Sequence, residues 1–193
     1  MEKQKYAAIV LAAGSGKRMN SQVHKQYLII QDRPVLYYSL KEFQDSAVDE
    51  IVLVVGKGEE EFCRREIVDK YGISKVKAIV EGGKERYHSV FEGLKQTSDA
   101  DYVLIHDGAR PLVTGEIISR AAYAAMQDGA CVVGMPVKDT IKVADPDGFA
   151  QSTPDRSRLW QVQTPQAFSY PLVRAAYDRL MADESLQKGI TDD

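Results

Sequence analysis

The feature that constrains this chain most is the alternation of short apolar runs with amphipathic stretches. The apolar runs are rich in valine, isoleucine and alanine, which is typical of strands that are covered on both faces. The five runs are Tyr6–Leu11, Ile51–Val55, Val76–Val80, Tyr102–Ile105 and Ala130–Gly134. Because helical patterns lie between them, the series predicts βαβ units and therefore a parallel sheet.

Several intervening stretches repeat apolar residues at helical spacing. One helix is predicted over Cys63–Tyr71, where apolar residues recur every fourth position and Gly72 follows as a stop signal. Two more are predicted over Tyr87–Leu94 and Ile117–Ala125, and Pro34 is well placed to begin another. The predicted fold class is α/β, a Rossmann-like, mostly parallel sheet with helices on both faces. Ligands bind beyond the carboxyl ends of the strands in such folds.

The segment from Pro136 to about Arg158 breaks this pattern. It contains several prolines and many polar residues, and it has no helical period. Short extended pieces flank the turn signal at Asp145–Gly148, which predicts a projecting β-hairpin arm. The alternative is a long surface loop, which is uncommon unless it is functional. We interpret residues 1–193 as a single domain that carries this arm.

Charge and cysteine content exclude several classes of protein. The formal net charge is −3, which argues against a nucleic-acid-binding protein but allows a small basic pocket for a phosphorylated ligand. No apolar run approaches the ~20 residues of a membrane span, so no membrane partner is expected. Cys63 and Cys131 cannot form a disulfide framework and are interpreted as buried, inert thiols. A cytoplasmic location fits that composition.

A glycine-containing loop follows the first predicted strand, at Ala12–Met19. It is not a dinucleotide fingerprint, because Met19 replaces the third glycine, and it is not a Walker A loop. Its small residues still let backbone N–H groups approach a phosphate. Lys17, Arg18 and Lys25 place positive charge beside it, which complements a triphosphate. The alternative is a flexible loop with solvated cations.

Two later strands also end in residues that suit a ligand. Gly82 and Gly83 precede a helix that contains Ser89, and they either let backbone groups contact a base or form an ordinary tight turn. Asp107 and Arg110 follow the fourth run, where a metal-linked carboxylate and a phosphate-binding guanidinium would be useful. The alternative is a mutual ion pair that only shapes the loop.

The remaining polar residues give weaker signals. His106 belongs to the end of a strand and is interpreted as structural, and the three histidines form no convincing catalytic triad. Thr140 and Thr164 offer hydroxyl groups to a polar ligand. Trp160 is interpreted as an anchor in the core or in an interface.

Five motifs in order give the chain a specific resemblance. They are LAAGSGKRM followed by KQY, then VLIHDGARP, VKDTIK and WQVQTPQAF. Together they resemble the 2-C-methyl-D-erythritol 4-phosphate cytidylyltransferase family of the non-mevalonate isoprenoid pathway, over essentially the whole chain. The pentitol-phosphate cytidylyltransferases share part of the pattern, so ribitol 5-phosphate is an alternative acceptor. A noncatalytic nucleotide-binding protein of the same fold is a further alternative.

The resemblance implies roles for the matching positions. Arg18 and Lys25 would bind the CTP triphosphate and, with Arg156, would be catalytic. The backbone of Ala12, Ala13, Gly14, Ser15 and Gly16 would cradle the triphosphate, and Gly83, Lys84 and Ser89 would surround the cytosine. The acceptor phosphate would lie near Asp107, Arg110, Thr140 and Arg156, with Thr164 and Thr191 as supporting polar groups.

The resemblance also implies a cofactor and an assembly. Mg²⁺ or another divalent cation would be held mainly by the CTP phosphates, and Asp107 is a candidate metal ligand. The arm would cross to a second subunit of a homodimer, so that Thr140 and Arg156 serve the neighbouring site. Members of this family continue with a further strand and helix after the position of Asp193, so we expect the C-terminal part of the family domain to be absent from these residues.

Overall fold

The computed structural model describes residues 3–14, 24–97, 99–190 and 193, which form an α/β fold. Its strands are β1 Tyr6–Ala12, β2 Ile29–Ile30, β3 Arg33–Pro34, β4 Glu50–Val55, β5 Val76–Glu81, β6 Tyr102–Asp107, β7 Ala130–Pro136, β8 Val143–Ala144, β9 Ala150–Ser152 and β10 Trp160–Ser169. Its α-helices are α1 Val35–Asp45, α2 Glu60–Cys63, α3 Arg86–Leu94, α4 Gly115–Asp128 and α5 Tyr170–Ala182. The five predicted strands are thus confirmed.

Six strands form the central sheet in the order β5-β4-β1-β6-β10-β7. The pairs β5–β4, β4–β1 and β1–β6 are parallel, whereas β10 is antiparallel to both β6 and β7. The sheet is therefore mostly parallel, as predicted. The carboxyl ends of β5, β4, β1 and β6 consequently meet along one edge.

Sequence reasoning did not assign β10 or α5. Gln161, Gln163, Thr164 and Gln166 interrupt the apolar pattern of β10, and the pairing with β7 shifts register between Val162 and Gln166. An apolar run cannot identify a strand in which half of the positions are polar without regular alternation and whose neighbours come from distant parts of the chain.

Two hydrophobic clusters cover the two faces of the sheet. One contains Ala8 and Val10 of β1 together with apolar residues of α1, α2 and α4. The other contains Ala7 and Ile9 of β1 together with apolar residues of α3 and α5. Alternate residues of a strand point to opposite faces, so the buried strand β1 contributes to both clusters and helices lie on both faces as predicted.

The helix predicted over Cys63–Tyr71 is only partly α-helical. Its first turn is α2, and residues Arg64–Asp69 continue as a π-helical segment. Gly72 adopts a φ of 65° just after this segment. A four-residue spacing does not distinguish an α-helix from this wider turn, because both place the repeated residues near one face.

The arm contains the predicted hairpin. Strands β8 and β9 pair antiparallel, and the Asp145 Oδ1 accepts hydrogen bonds from the N–H groups of Asp147 (3.1 Å) and Phe149 (2.9 Å). Gly148, with a φ of 87°, completes the turn. All residues of both strands are exposed.

None of the helices in the described ranges combines the length and hydrophobicity that a bilayer-spanning segment needs.

Candidate active site

The site begins where β1 ends. Ala12 is the last residue of that strand, and Ala13 and Gly14 continue into the predicted phosphate loop. Ser15, Gly16 and Arg18, predicted to bind the triphosphate, lie outside the described residues, as does Thr191. Their roles therefore remain predictions.

Lys25 is held close to this loop by its neighbour in sequence. It is the first residue of a 3₁₀ turn, Lys25–Tyr27, and it is exposed. Gln26 is 1% exposed, and its Nε2 donates a hydrogen bond of 2.6 Å to the carbonyl of Ala12. Since a buried amide rarely goes without a partner, this bond fixes the turn against the end of β1.

The glycine pair after β5 packs closely on the first loop. A Cβ atom built at Gly82 would lie 2.5 Å from the Cβ of Ala13 and 2.7 Å from the Oγ of Ser89. The backbone N–H of Gly83 donates to Ser89 Oγ over 3.1 Å. Ser89 is buried at the start of α3, whereas Lys84 is exposed. The predicted cytosine-binding residues thus adjoin the first loop, and only a residue without a side chain fits at position 82.

Asp107 stands at the end of β6 between two guanidinium groups. Arg110 Nε lies 3.0 Å from its Oδ2, and Arg86 Nε and Nη2 each lie 3.3 Å from its Oδ1. Burial alone would raise the pKa of Asp107, but the charge of Arg86 and the hydrogen bond from Arg110 lower it below its usual value. The ion pair between Asp107 and Arg110 is therefore present, and Asp107 stays ionised at neutral pH.

His106 and Thr164 support this loop from beneath. The Asp107 N–H donates to Thr164 Oγ1 (3.2 Å), and Thr164 Oγ1 lies 2.9 Å from His106 Nδ1. His106 Nε2 lies 3.2 Å from the carbonyl of Arg110. Because a carbonyl only accepts, the network assigns the proton to Nε2, and Thr164 donates to Nδ1. Burial lowers the pKa of His106 to about 4, which agrees with its predicted structural role.

Arg86 is the site residue that sequence reasoning missed. It also lies 2.6 Å, through Nη1, from Oδ2 of Asp193, whose side chain is fully buried. Burial by itself would lower the pKa of Arg86, but Asp193 and Asp107 raise it. The sequence gives one indication that Arg86 belongs to the site, because it lies at the junction between β5 and α3. Its ion-pair partners, however, lie far from it in sequence.

Thr140 and Arg156 lie on the arm, and both are exposed. Arg156 Nη1 donates to the carbonyl of Lys138 over 3.0 Å, within the arm itself. Across the described ranges neither residue has a hydrogen bond to the Asp107 loop. That these two residues serve the site of another subunit stays a prediction.

The carboxyl edge of the sheet therefore gathers groups that suit an anionic nucleotide. Exposed cations, Lys25 and Arg110, lie at neighbouring strand ends, and backbone groups of the glycine junction lie between tightly packed small residues. No three carboxylate, imidazole or thiol side chains come together as a metal site within the part of the chain that the structure describes. Phosphate binding by cations and backbone N–H groups is what this edge can do chemically.

Comparison with known proteins gives a consistent result. The family profile described as 2-C-methyl-D-erythritol 4-phosphate cytidylyltransferase matches residues 6–193. The chain is 50% identical over 190 residues to the protein of that name from Lachnoclostridium phytofermentans, covering 98% of this chain and 81% of the relative. It is 52% identical over 187 residues to that from Lachnospira eligens, covering 96% and 82%.

A solved structure agrees with these sequence matches. The crystal structure of 4-diphosphocytidyl-2C-methyl-D-erythritol synthase from Anaerococcus prevotii superposes with a TM-score of 0.83 at 34% identity. The match covers 98% of this chain and 79% of that structure's chain.

Proposed function

The chain belongs to the 2-C-methyl-D-erythritol 4-phosphate cytidylyltransferase family, and from that premise we propose how its residues perform the reaction. The enzyme transfers CMP from CTP to 2-C-methyl-D-erythritol 4-phosphate, giving 4-diphosphocytidyl-2-C-methyl-D-erythritol and pyrophosphate in isoprenoid biosynthesis. The observation that carries this function at the level of the site is the meeting of Lys25, the Gly82–Gly83 junction and Arg110 at one edge of the sheet.

The reaction needs charge neutralisation more than proton transfer. The acceptor phosphate has a second pKa near 6, so it is mostly a dianion at pH 7. One of its oxygens forms a bond to the α-phosphorus of CTP while the bond from that phosphorus to the β-phosphate bridging oxygen breaks, and pyrophosphate leaves. Because two anions must meet, cations aimed at the reacting phosphates stabilise the transition state. No general base is required.

The described residues divide this task by position. Lys25 neutralises the CTP phosphates at the end of β1, and the resemblance assigns the same task to Arg18, which lies outside the described residues. Gly83, Lys84 and Ser89 receive the cytosine. Arg110 is exposed and is oriented by its ion pair with Asp107, so it is well placed to bind the acceptor phosphate. A guanidinium held by a carboxylate loses less conformational freedom when it binds an anion.

The residues fit Mg²⁺ that is bound mainly through the nucleotide. Both carboxylate oxygens of Asp107 already face a guanidinium, which leaves this carboxylate poorly suited to serve as the main ligand of a cation. Magnesium commonly keeps several waters and binds substrate phosphates with few protein ligands. Bound in that way it would supply further neutralisation of the triphosphate, and Asp107 would contribute at most one ligand.

We also propose that the protein works as a homodimer joined through the arm. Large apolar side chains lie exposed on the arm and on the adjoining strands, including Met135 (50%), Phe149 (73%) and Trp160 (62%). A small hairpin without a core gains order by packing on a partner.

A cytoplasmic location is supported by the two free cysteines, Cys63 and Cys131.

The experiment that tests the function measures pyrophosphate release. CTP and Mg²⁺ are supplied with 2-C-methyl-D-erythritol 4-phosphate, ribitol 5-phosphate or no acceptor. We expect release with the first acceptor at a kcat/KM far above that with the second. Preference for ribitol 5-phosphate would reassign the acceptor, and nucleotide binding without release would indicate a noncatalytic protein.

A further inference from the structure

Glu59 binds residues on both sides of Lys25. Its Oε1 lies 2.8 Å from His24 Nδ1, and its Oε2 accepts a hydrogen bond of 2.7 Å from the Tyr27 hydroxyl. His24 precedes Lys25 directly and Tyr27 ends the same 3₁₀ turn. One carboxylate therefore holds the start and the end of the turn that presents Lys25.

Glu59 is itself fixed to the end of β4. The N–H of Gly56, the first residue after that strand, donates to Glu59 Oε2 over 3.1 Å. The N–H of Glu59 in turn donates to the carbonyl of Gly56 over 3.0 Å. A Cβ atom at Gly56 would lie 2.7 Å from Glu59 Oε2, so the absence of a side chain there lets the carboxylate approach the backbone.

The opposite side of the turn is fixed to β1 by Gln26. Its bond to the Ala12 carbonyl, described above, anchors the turn to the strand that pairs with β4, and Ala12 stands in register with Val55. The turn is thus tied to the carboxyl ends of two adjacent strands. Gln26 provides one tie and Glu59 the other.

Packing keeps the Tyr27 hydroxyl available as a donor. Its ring packs edge-on against Phe62 with centroids 5.2 Å apart, and its hydroxyl lies 3.1 Å from the Sγ of Cys63. Burial raises the pKa of Tyr27, and so do its contacts with Cys63 and Glu59. The hydroxyl therefore stays protonated at all working pH values and keeps its bond to Glu59.

We propose that Glu59 is a positioning residue for the cytidylyl transfer, acting through His24 and Tyr27 to hold the Lys25 turn where its ammonium meets the CTP phosphates. This inference rests on the role proposed above for Lys25. Glu59 touches neither substrate, and its effect passes entirely through the turn. Preorganised cations are effective because they need not reorganise during the reaction.

A double-mutant cycle tests the proposal in the full-length chain. Glu59→Ala should lower kcat about 10- to 100-fold, the scale of a misplaced catalytic group, with little change in KM for the acceptor. Glu59→Gln keeps an acceptor for Tyr27 and should retain kcat within about threefold of the wild type. In a Lys25→Ala background, Glu59→Ala should cause little further loss, because the group that it positions is gone.

Glu61→Ala is the matched control, since it removes the same charge from an exposed position two residues away. It should leave kcat unchanged, and thermal unfolding should show that each variant is folded. A Glu59→Ala loss that is equally large in the Lys25→Ala background would overturn the positioning role and leave the function of Lys25 intact. A Lys25→Ala enzyme with normal kcat would overturn both.

Discussion

The guanidinium of Arg86 contacts the carboxylate of Asp107 through both Nε and Nη2, each 3.3 Å from Oδ1. Arg86 begins α3 and Asp107 ends β6, so the pair joins the two sides of the proposed substrate site. Sequence separates them by 21 residues. Because of this ion pair, the ionised carboxylate of Asp107 contributes to the stability of the fold.

The first prediction concerns acid stability. Because the pKa of Asp107 is lower in the folded protein than its ordinary value, its contribution is complete above about pH 4 and is lost as pH falls through the folded pKa. Asp107→Asn should flatten the fall in unfolding free energy over that range, measured by urea denaturation. Asp128→Asn, at an exposed position, should leave the fall unchanged. Identical profiles for wild type and Asp107→Asn would contradict the prediction.

The second prediction concerns His106. Burial depresses its pKa to about 4, so between about pH 6.5 and 4 the unfolded chain binds a proton that the native protein does not. The free energy of unfolding should therefore decrease by about 1.4 kcal/mol for each pH unit of acidification across that window. NMR titration of the imidazole checks the cause directly. An imidazole that titrates near pH 6.5 in the folded protein would show that the buried network does not hold it neutral.

The third prediction concerns Gly82. Gly82→Ala places a Cβ against Ala13 and Ser89, which forces apart the two loops proposed to bind the nucleotide. KM for CTP should rise about tenfold or more, measured by steady-state kinetics at saturating acceptor. The matched control is Gly115→Ala, where the nearest atom to a new Cβ is Glu42 Oε2 at 3.9 Å. An unchanged KM in the Gly82→Ala enzyme would show that this close approach does not shape the CTP site.

The fourth prediction concerns the charge at position 25. Lys25→Ala should lower kcat about 10²- to 10³-fold, the usual loss for one donor that stabilises a transition state. Lys77→Ala removes an exposed lysine from the edge strand β5 and should have almost no effect. Single-turnover measurements separate this loss from slow product release. Equal activities of the two variants would remove Lys25 from the catalytic group.

The fifth prediction concerns sharing of sites between subunits. Arg156→Ala and Lys25→Ala enzymes should each be nearly inactive, and mixing them after reversible dissociation should restore about a quarter of wild-type activity, since half of the dimers then hold one intact site. Sedimentation should give a dimer for each protein. A fully active monomer, or mixtures that stay inactive, would show that the arm does not complete a neighbouring site.

Much of this fold follows from local patterns. The Val- and Ile-rich runs identify β1, β4, β5, β6 and β7. Pro34 stands just before α1, and Gly129 stands just after α4. These features depend on neighbours in sequence, so a reader of the sequence can recover them. The apolar patterns did not identify strand β10, because its polar residues are accommodated by strands and a loop that come from elsewhere in the chain.

The candidate site likewise has a part that local sequence patterns predict and a part that they do not. Local sequence patterns predict the candidate residues: the small-residue loop with Lys25, the glycine junction, and Asp107 with Arg110. The contacts that hold these residues in place are visible only in the folded chain: Gln26 on the Ala12 carbonyl, Glu59 on His24 and Tyr27, and Arg86 between Asp107 and Asp193. The physical reason is that a charged or glycine-rich motif is a local property, whereas an ion pair or a buried hydrogen bond needs two groups that the parallel sheet brings together from distant segments.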